Sequence, residues 1–197
     1  MASNPQNYIT PEEYLELERK AGRKSEYYKG EIFLMAGASP RHVLITSNVV
    51  VALGPQLRGK KCGVFFSDLR VKVPATGLYT YPDVLIVCDR PHYDDQQRDT
   101  LVNPQVIVEV LSKSTKDYDR GEKFEPYRSI ASFTDYVLIA QDKFHVEHYA
   151  RQSADTWTLK EINNLEDSIT LASVDCELRL ADIYANNDFV GEETIEE

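Results

Sequence analysis

The sequence predicts an α/β fold in one domain, residues 1–185, and three observations carry that prediction. Two helix signatures lie in the first third of the chain. Two short, nearly continuous apolar runs, Val84–Cys88 and Val106–Leu111, follow as central strands. Alternation of polar and apolar residues over 144–162 then reads as a C-terminal β-hairpin. The length of 197 residues and a hydrophobic content of 42% fit one globular domain with its own core.

Taken in order, Thr10-Pro11-Glu12-Glu13 opens the first helix with an N-cap Thr, a Pro at the first helical position and a Glu three residues after the cap. Tyr14, Leu17 and Ala21 would form its apolar stripe. Gly22 and Gly30 bracket a short stretch that leads into a strand over 31–36. A second helix is expected over 42–57, with Val43, Ile45, Val49, Val50, Leu53 and Leu57 apolar. Residues 64–73 mix β-branched, aromatic and polar residues as a half-buried strand does. The polar segment 89–104 reads as an exposed loop. Residues 112–130 read as a loop and a helix, 135–140 as a strand, 144–149 and 156–162 as the hairpin, and 178–184 as the last packed segment. Residues 186–197 form an acidic tail, expected to be flexible.

Composition narrows the function classes. No run of about 18 apolar residues appears, which argues against a membrane span, and the polar N-terminus lacks the order of a signal peptide. A cytoplasmic protein is the simple expectation. Cys62, Cys88 and Cys176 are odd in number, scattered and in no C-x-x-C pair, so neither a disulfide framework nor a structural zinc site is expected. The net charge of −10 opposes a nucleic-acid partner. It is uneven, however: Asp188, Glu192, Glu193, Glu196 and Glu197 carry half of it. Arg58, Lys60, Lys61, Arg70 and Lys72 face only Asp68 within 58–72. Local field matters more than the total.

Two carboxylates stand out. Glu109 lies inside Val-Ile-Val-Glu-Val-Leu, and its same-face neighbours at positions 107 and 111 are Ile and Leu. A solvated strand face would offer polar residues there, so Glu109 reads as a buried functional carboxylate, which needs a partner or a metal. Asp83 follows Tyr81-Pro82 at a strand entry, where a turn or cap Asp is the ordinary explanation. If the two strands are neighbours, both carboxylates converge on one hard cation, for which Mg²⁺ or Mn²⁺ is suited. Lys123 lies four residues from both Asp119 and Tyr127, on one helix face. An exposed i,i+4 pair with Asp119 is its ordinary explanation, and Pro126 unsettles that helix.

Tyr81-Pro82-Asp83, then Glu109-Val110-Leu111-Ser112 with Ser114-Thr115, then Asp119 to Lys123 to Tyr127, resemble the Uma family of restriction endonuclease-like proteins in the PD-(D/E)XK nuclease superfamily. The likeness extends upstream to Glu26, Gly30-Glu31, Met35 and His42 and downstream to Asp135-Tyr136-Val137-Leu138. It implies a PD-(D/E)XK nuclease-like core, a mixed central β-sheet flanked by helices, with Asp83 and Glu109 on adjacent strands. It further implies a Mg²⁺- or Mn²⁺-dependent endonuclease acting on DNA, with Asp83, Glu109 and Lys123 catalytic. Asp83, Glu109, the Val110 carbonyl and Glu26 would hold the metal. Leu111 departs from the motif, which places its lysine there; in the family that role passes to the following helix, here to Lys123. Many nucleases of this kind act on two strands as dimers, so a homodimer is one state the resemblance allows.

His42 either starts its helix as a polar N-terminal residue or lines the cleft. Glu26 is either a metal-shell carboxylate or a solvated residue beside Lys24 and Lys29. Ser112, Ser114 and Thr115 read as turn and cap residues. Two rivals to a nuclease remain: a nucleic-acid-binding or regulatory module that kept the fold without cleavage, and a carboxylate-pair hydrolase acting on sugars, which would leave Lys123 without a role.

Overall fold

A computed structural model describes residues 8–112 and 116–187 of the chain. Ser114, Thr115 and the tail from residue 188 lie outside the described residues. The first half runs α1 (Pro11–Glu18), β1 (Ser25–Tyr28), β2 (Glu31–Leu34), α2 (Pro40–Leu57), β3 (Cys62–Phe66), β4 (Arg70–Val73), β5 (Leu78–Thr80) and β6 (Val84–Cys88). The second half runs β7 (Thr100–Leu101), β8 (Val106–Leu111), α3 (Lys116–Arg120), α4 (Phe124–Tyr127) and β9 (Asp135–Ala140). It closes with β10 (Val146–Arg151), β11 (Trp157–Ile162), β12 (Ser168–Leu171), β13 (Cys176–Arg179) and α5 (Leu180–Ile183).

The central sheet has the order β11-β10-β9-β8-β6-β3. It is mixed: β8 and β9 are parallel, and the other neighbours are antiparallel. Period-two alternation sends its side chains to two cores. On one face Val84, Ile86, Val106, Val108, Val110, Val137 and Ile139 pack with Ile45, Val49, Leu53 and Leu57 of α2. Each side chain of that helix face contributes about 1.5–3 kcal/mol by leaving water, enough to seat α2 on the sheet. On the other face Leu85, Val87, Ile107, Leu111, Tyr136 and Leu138 pack with Val71, Val73, Tyr127 and Phe133. A second sheet, β2-β1-β5-β4-β7, supplies part of that cover, and β12 and β13 form a separate hairpin.

The capping box at Thr10 and Glu13 is present, with Pro11 at the helix start. Helix α1 stops at Glu18, so Ala21 lies outside it; Tyr14, Leu15 and Glu18 are its buried residues and Leu17 is exposed. Helix α2 begins at Pro40, capped by the Ser39 side chain. The segment 25–28 is a strand in its own right, paired with β2 through Lys29 and Gly30, both at positive φ. Such a two-residue turn is what a tight hairpin requires. The single strand expected over 64–73 is two strands in different sheets, because Ser67 takes a left-handed conformation between them. The loop expected over 89–104 is not wholly exposed: Thr100 and Leu101 are fully buried and pair with β4.

The cysteines require a further correction. Cys62 and Cys88 are direct cross-strand partners on β3 and β6 and are joined by a disulfide. Sequence spacing of 26 residues concealed a pairing that strand register creates. The bond clips edge strand β3 to β6, the strand that Asp83 introduces. Closing a loop of that length is worth about 3 kcal/mol in the chain-entropy account. Denaturant unfolding of the Cys62→Ala/Cys88→Ala double variant should therefore show a loss of about that size. Equal stability of variant and oxidised native chain would refute a structural role for the bond.

Candidate functional site

Register brings the two carboxylates together. β6 and β8 pair antiparallel with Val84 opposite Val108, so Asp83 and Glu109 stand next to one another where that pairing ends. Asp83 Oδ2 accepts the Val110 N–H at 2.7 Å, and Glu109 Oε2 accepts the Asp83 N–H at 3.4 Å. In a strand, a residue's N–H and C=O share one edge. The Val110 carbonyl therefore lies on the edge that faces Asp83, beyond the last β6–β8 pair. His42 Nε2 lies 2.8 Å from Asp83 Oδ1. Of the two expectations for His42, the cleft-lining one matches its position.

Glu109 is only 3% exposed, which removes the solvated-strand explanation. Its Oε1 accepts from the Tyr127 hydroxyl at 3.2 Å and sits 2.9 Å from Lys123 Nζ. Lys123 is itself 5% exposed. Its ammonium lies 3.3 Å from Glu26 and 3.6 Å from Asp119, so three carboxylates surround it. The i,i+4 pair with Asp119 thus exists, but it is buried rather than a surface pair. The supporting helix is broken: α3 ends at Arg120, α4 starts at Phe124, and the Lys123 N–H bonds back to the Tyr118 carbonyl. Lys123, Asp119 and Tyr127 still converge.

Glu26 comes from β1 and is almost fully buried. It accepts from the Thr80 hydroxyl, from the Tyr118 hydroxyl at 3.1 Å and from Lys123. Leu111, at the position where the motif has its lysine, is buried in the core face shared with Ile107. Tyr118 and Thr80 gave no signal in the sequence, since neither lies at a spacing tied to the carboxylates. Tyr127 did, four residues beyond Lys123.

Glu26, His42, Asp83, Glu109, Val110, Tyr118, Asp119 and Lys123 line a cleft of about 1750 Å³. Its walls carry Glu18, Glu26, Asp68, Asp83, Glu109, Asp119 and Glu122 against Arg23, Lys24 and Lys123. Three of the basic residues in the stretch 58–72 are engaged elsewhere. Lys60 pairs with Asp175, Lys72 with Asp94, and Arg70 is buried against Thr100, Tyr81 and Asp99. Carboxylates therefore outnumber cations along its walls. The donor types at the Asp83 end, two carboxylates and a backbone carbonyl, fit a hard cation. Among the described residues, three ligand-type atoms within 4.8 Å of one another occur at His145, Glu147 and Glu161, outside this cleft. There Arg120 already grips Glu147 through both carboxylate oxygens.

Burial pushes the Glu109 carboxyl up to about 8; Lys123 opposes this, while Asp119 and Asp83 add to it. Burial works against the Lys123 charge, but Glu109, Tyr127, Glu26 and Asp119 together hold its ammonium well above the ordinary range. Of these close neighbours, Lys123 keeps its proton and Glu109 is the group whose ionisation is held back.

A family model described as "Putative restriction endonuclease", Uma2, matches residues 11–181. The chain belongs to the Uma2 family. Two Synechocystis sp. (strain ATCC 27184 / PCC 6803 / Kazusa) proteins are similar to this Uma2 chain. "Uncharacterized protein sll1609" is 36% identical over 154 residues, 78% of this chain and 87% of that protein. "Uncharacterized protein slr1290" is 32% identical over 182 residues, 92% and 94% respectively. The fold is shared with the crystal structure of "a putative nuclease belonging to DUF820 from Anabaena variabilis ATCC 29413". The TM-score is 0.72 at 19% identity, over 89% of this chain and 97% of that one. The mixed sheet flanked by helices that the motif resemblance implied is thus the fold observed. No helix among the described residues is long and apolar enough to cross a membrane.

A carboxyl whose folded-state value is raised binds its proton more tightly in the fold than in the unfolded chain. Its contribution to stability is complete below the ordinary value of 4.5 and is lost as pH rises through about 8. Glu109→Gln cannot ionise. Without added metal, its stability relative to the native chain should improve as pH rises from about 5 to about 9. Denaturant titrations across that range measure the difference; a constant difference would refute the assignment.

Proposed function

We propose that the protein is a divalent-metal-dependent endonuclease that hydrolyses phosphodiester bonds of DNA. The observation that carries this reading is the Lys123 ammonium, 2.9 Å from Glu109 and buried with it, although the motif's own lysine position is Leu111. A lysine delivered from the α3–α4 segment supplies the charge that Leu111 lacks. Asp83, Glu109 and the Val110 carbonyl would hold Mg²⁺ or Mn²⁺. When bound, such a cation polarises the scissile phosphate and lowers the pKa of a coordinated water.

The protein's own groups do the rest. The acidic groups around it keep Lys123 charged and fixed against the cost of burial, so that it meets developing negative charge without reorganisation. Val110 N–H and His42 hold both oxygens of Asp83 in place. Glu26 engages Thr80, Tyr118 and Lys123, contacts that suit an anchor for the lysine better than a direct metal ligand. Tyr127 orients the Glu109 oxygen that also meets Lys123.

Incubation with supercoiled plasmid and Mg²⁺ or Mn²⁺ tests this. The native chain should nick DNA and chelation should stop it. Asp83→Asn, Glu109→Gln and Lys123→Met should each lose about a hundredfold or more in rate while circular dichroism shows the fold retained. Full activity in these variants would overturn the site. Binding without nicking under both metals would instead mark the second reading, a nucleic-acid-binding module on the same fold, which Leu111 favours.

A further inference from the structure

Strand register places two exposed aromatic rings beside the candidate site. Phe33 on β2 is the cross-strand partner of Glu26, the β1 carboxylate that meets Lys123. Directly opposed residues of an antiparallel pair share a face, so the Phe33 ring and the Glu26 carboxylate leave the smaller sheet on the same side. Phe66 on β3 is the partner of Val84, next to Asp83, and the Ser67 N–H donates to the Asp83 carbonyl at 3.1 Å. Lys24 ties the two segments together. Its ammonium reaches the Ser67 carbonyl at 2.9 Å, and its own carbonyl accepts the Met35 N–H at 3.0 Å. Both phenylalanines line the cleft that holds Asp83 and Glu109. Phe33 is 49% exposed and Phe66 56%, and among the described residues neither belongs to a hydrophobic cluster.

We propose that these rings stack the bases of an unpaired strand, which makes single-stranded DNA the substrate class of this cleft. The inference rests on the nuclease reading above and deepens it. Charge and shape select the occupant. Proteins that hold a duplex by its backbone commonly make about six to ten phosphate contacts through Lys and Arg. The cations along these cleft walls are Arg23, Lys24 and Lys123. Lys24 is paired with Asp68, and Lys123 is buried among carboxylates. A duplex also turns its base faces inward and would meet the two rings with backbone and groove edges. An unpaired strand offers the faces themselves, and a phenyl ring can cover any of them whatever the sequence. Stacking thus supplies affinity that an acidic cleft draws poorly from phosphate.

Fluorescence anisotropy of end-labelled oligonucleotides with the full chain measures binding apart from turnover. Ca²⁺, which takes the same kind of oxygen ligands as Mg²⁺, is the added cation, and gels confirm that the probes stay intact. A single strand should bind about tenfold or more tightly than its own duplex. Phe33→Leu and Phe66→Leu keep the apolar bulk and remove the ring. Each should weaken single-strand binding about tenfold, with duplex binding and the circular dichroism spectrum unchanged, while Phe66→Tyr should retain it. Equal binding of strand and duplex, or leucine variants that bind a single strand as the native chain does, would overturn the inference. So would an absence of strand binding with a self-association that the leucine substitutions abolish, which would give the rings to a second copy. Ring-dependent strand binding without cleavage in Mg²⁺ or Mn²⁺ would support the stacking surface and refute the nuclease reading. Metal-dependent cleavage of linear duplex that the leucine substitutions leave untouched would do the reverse.

Discussion

Lys123 stands within 3.6 Å of carboxylates from three separate elements, Glu26 on β1, Glu109 on β8 and Asp119 on α3. That contact joins the smaller sheet, the central sheet and the broken helix at a single buried charge. Taking these groups out of water costs several kcal/mol per ion, and only their mutual neutralisation offsets it. Tyr118, Tyr127 and Thr80 supply the remaining hydrogen bonds. The cluster is thus a requirement on the fold: β1, β8 and the α3–α4 segment have to meet here, or each brings an uncompensated charge into the interior.

The same cluster leaves the site electrostatically unfinished. One ammonium is shared among three carboxylates, and Asp83 adds a fourth at the cleft. The fold's answer, without an added ion, is to hold back ionisation of Glu109. Burial is the main cause of this, and Asp119 and Asp83 add to it. In the proposed function, a bound cation would reverse the local field and let an acidic cleft meet phosphate.

Around this centre the secondary structure serves position. The β6–β8 register aligns Asp83 with Glu109, and the Cys62–Cys88 bond clips β3 beside the strand that Asp83 leads. Helix α2 is seated by one apolar face and presents His42 to Asp83 from its first turn.

Local chemistry in the sequence was sufficient for a good part of this. The capping box at Thr10, the apolar runs of β6 and β8 and the isolation of Glu109 among apolar neighbours depend on residues a few positions apart, and the fold obeys them. The left-handed turn at Ser67, the two-residue strand β7 and the pairing of Cys62 with Cys88 depend on what lies across the sheet. Neither propensity nor spacing encodes that. Lys123 shows the division most clearly. Its four-residue spacing from Asp119 and Tyr127 was legible, but the same spacing describes a solvated surface lysine. Only the tertiary structure decided that it is buried, because the carboxylates that neutralise it arrive from strands 97 and 14 positions earlier in the chain, at Glu26 and Glu109.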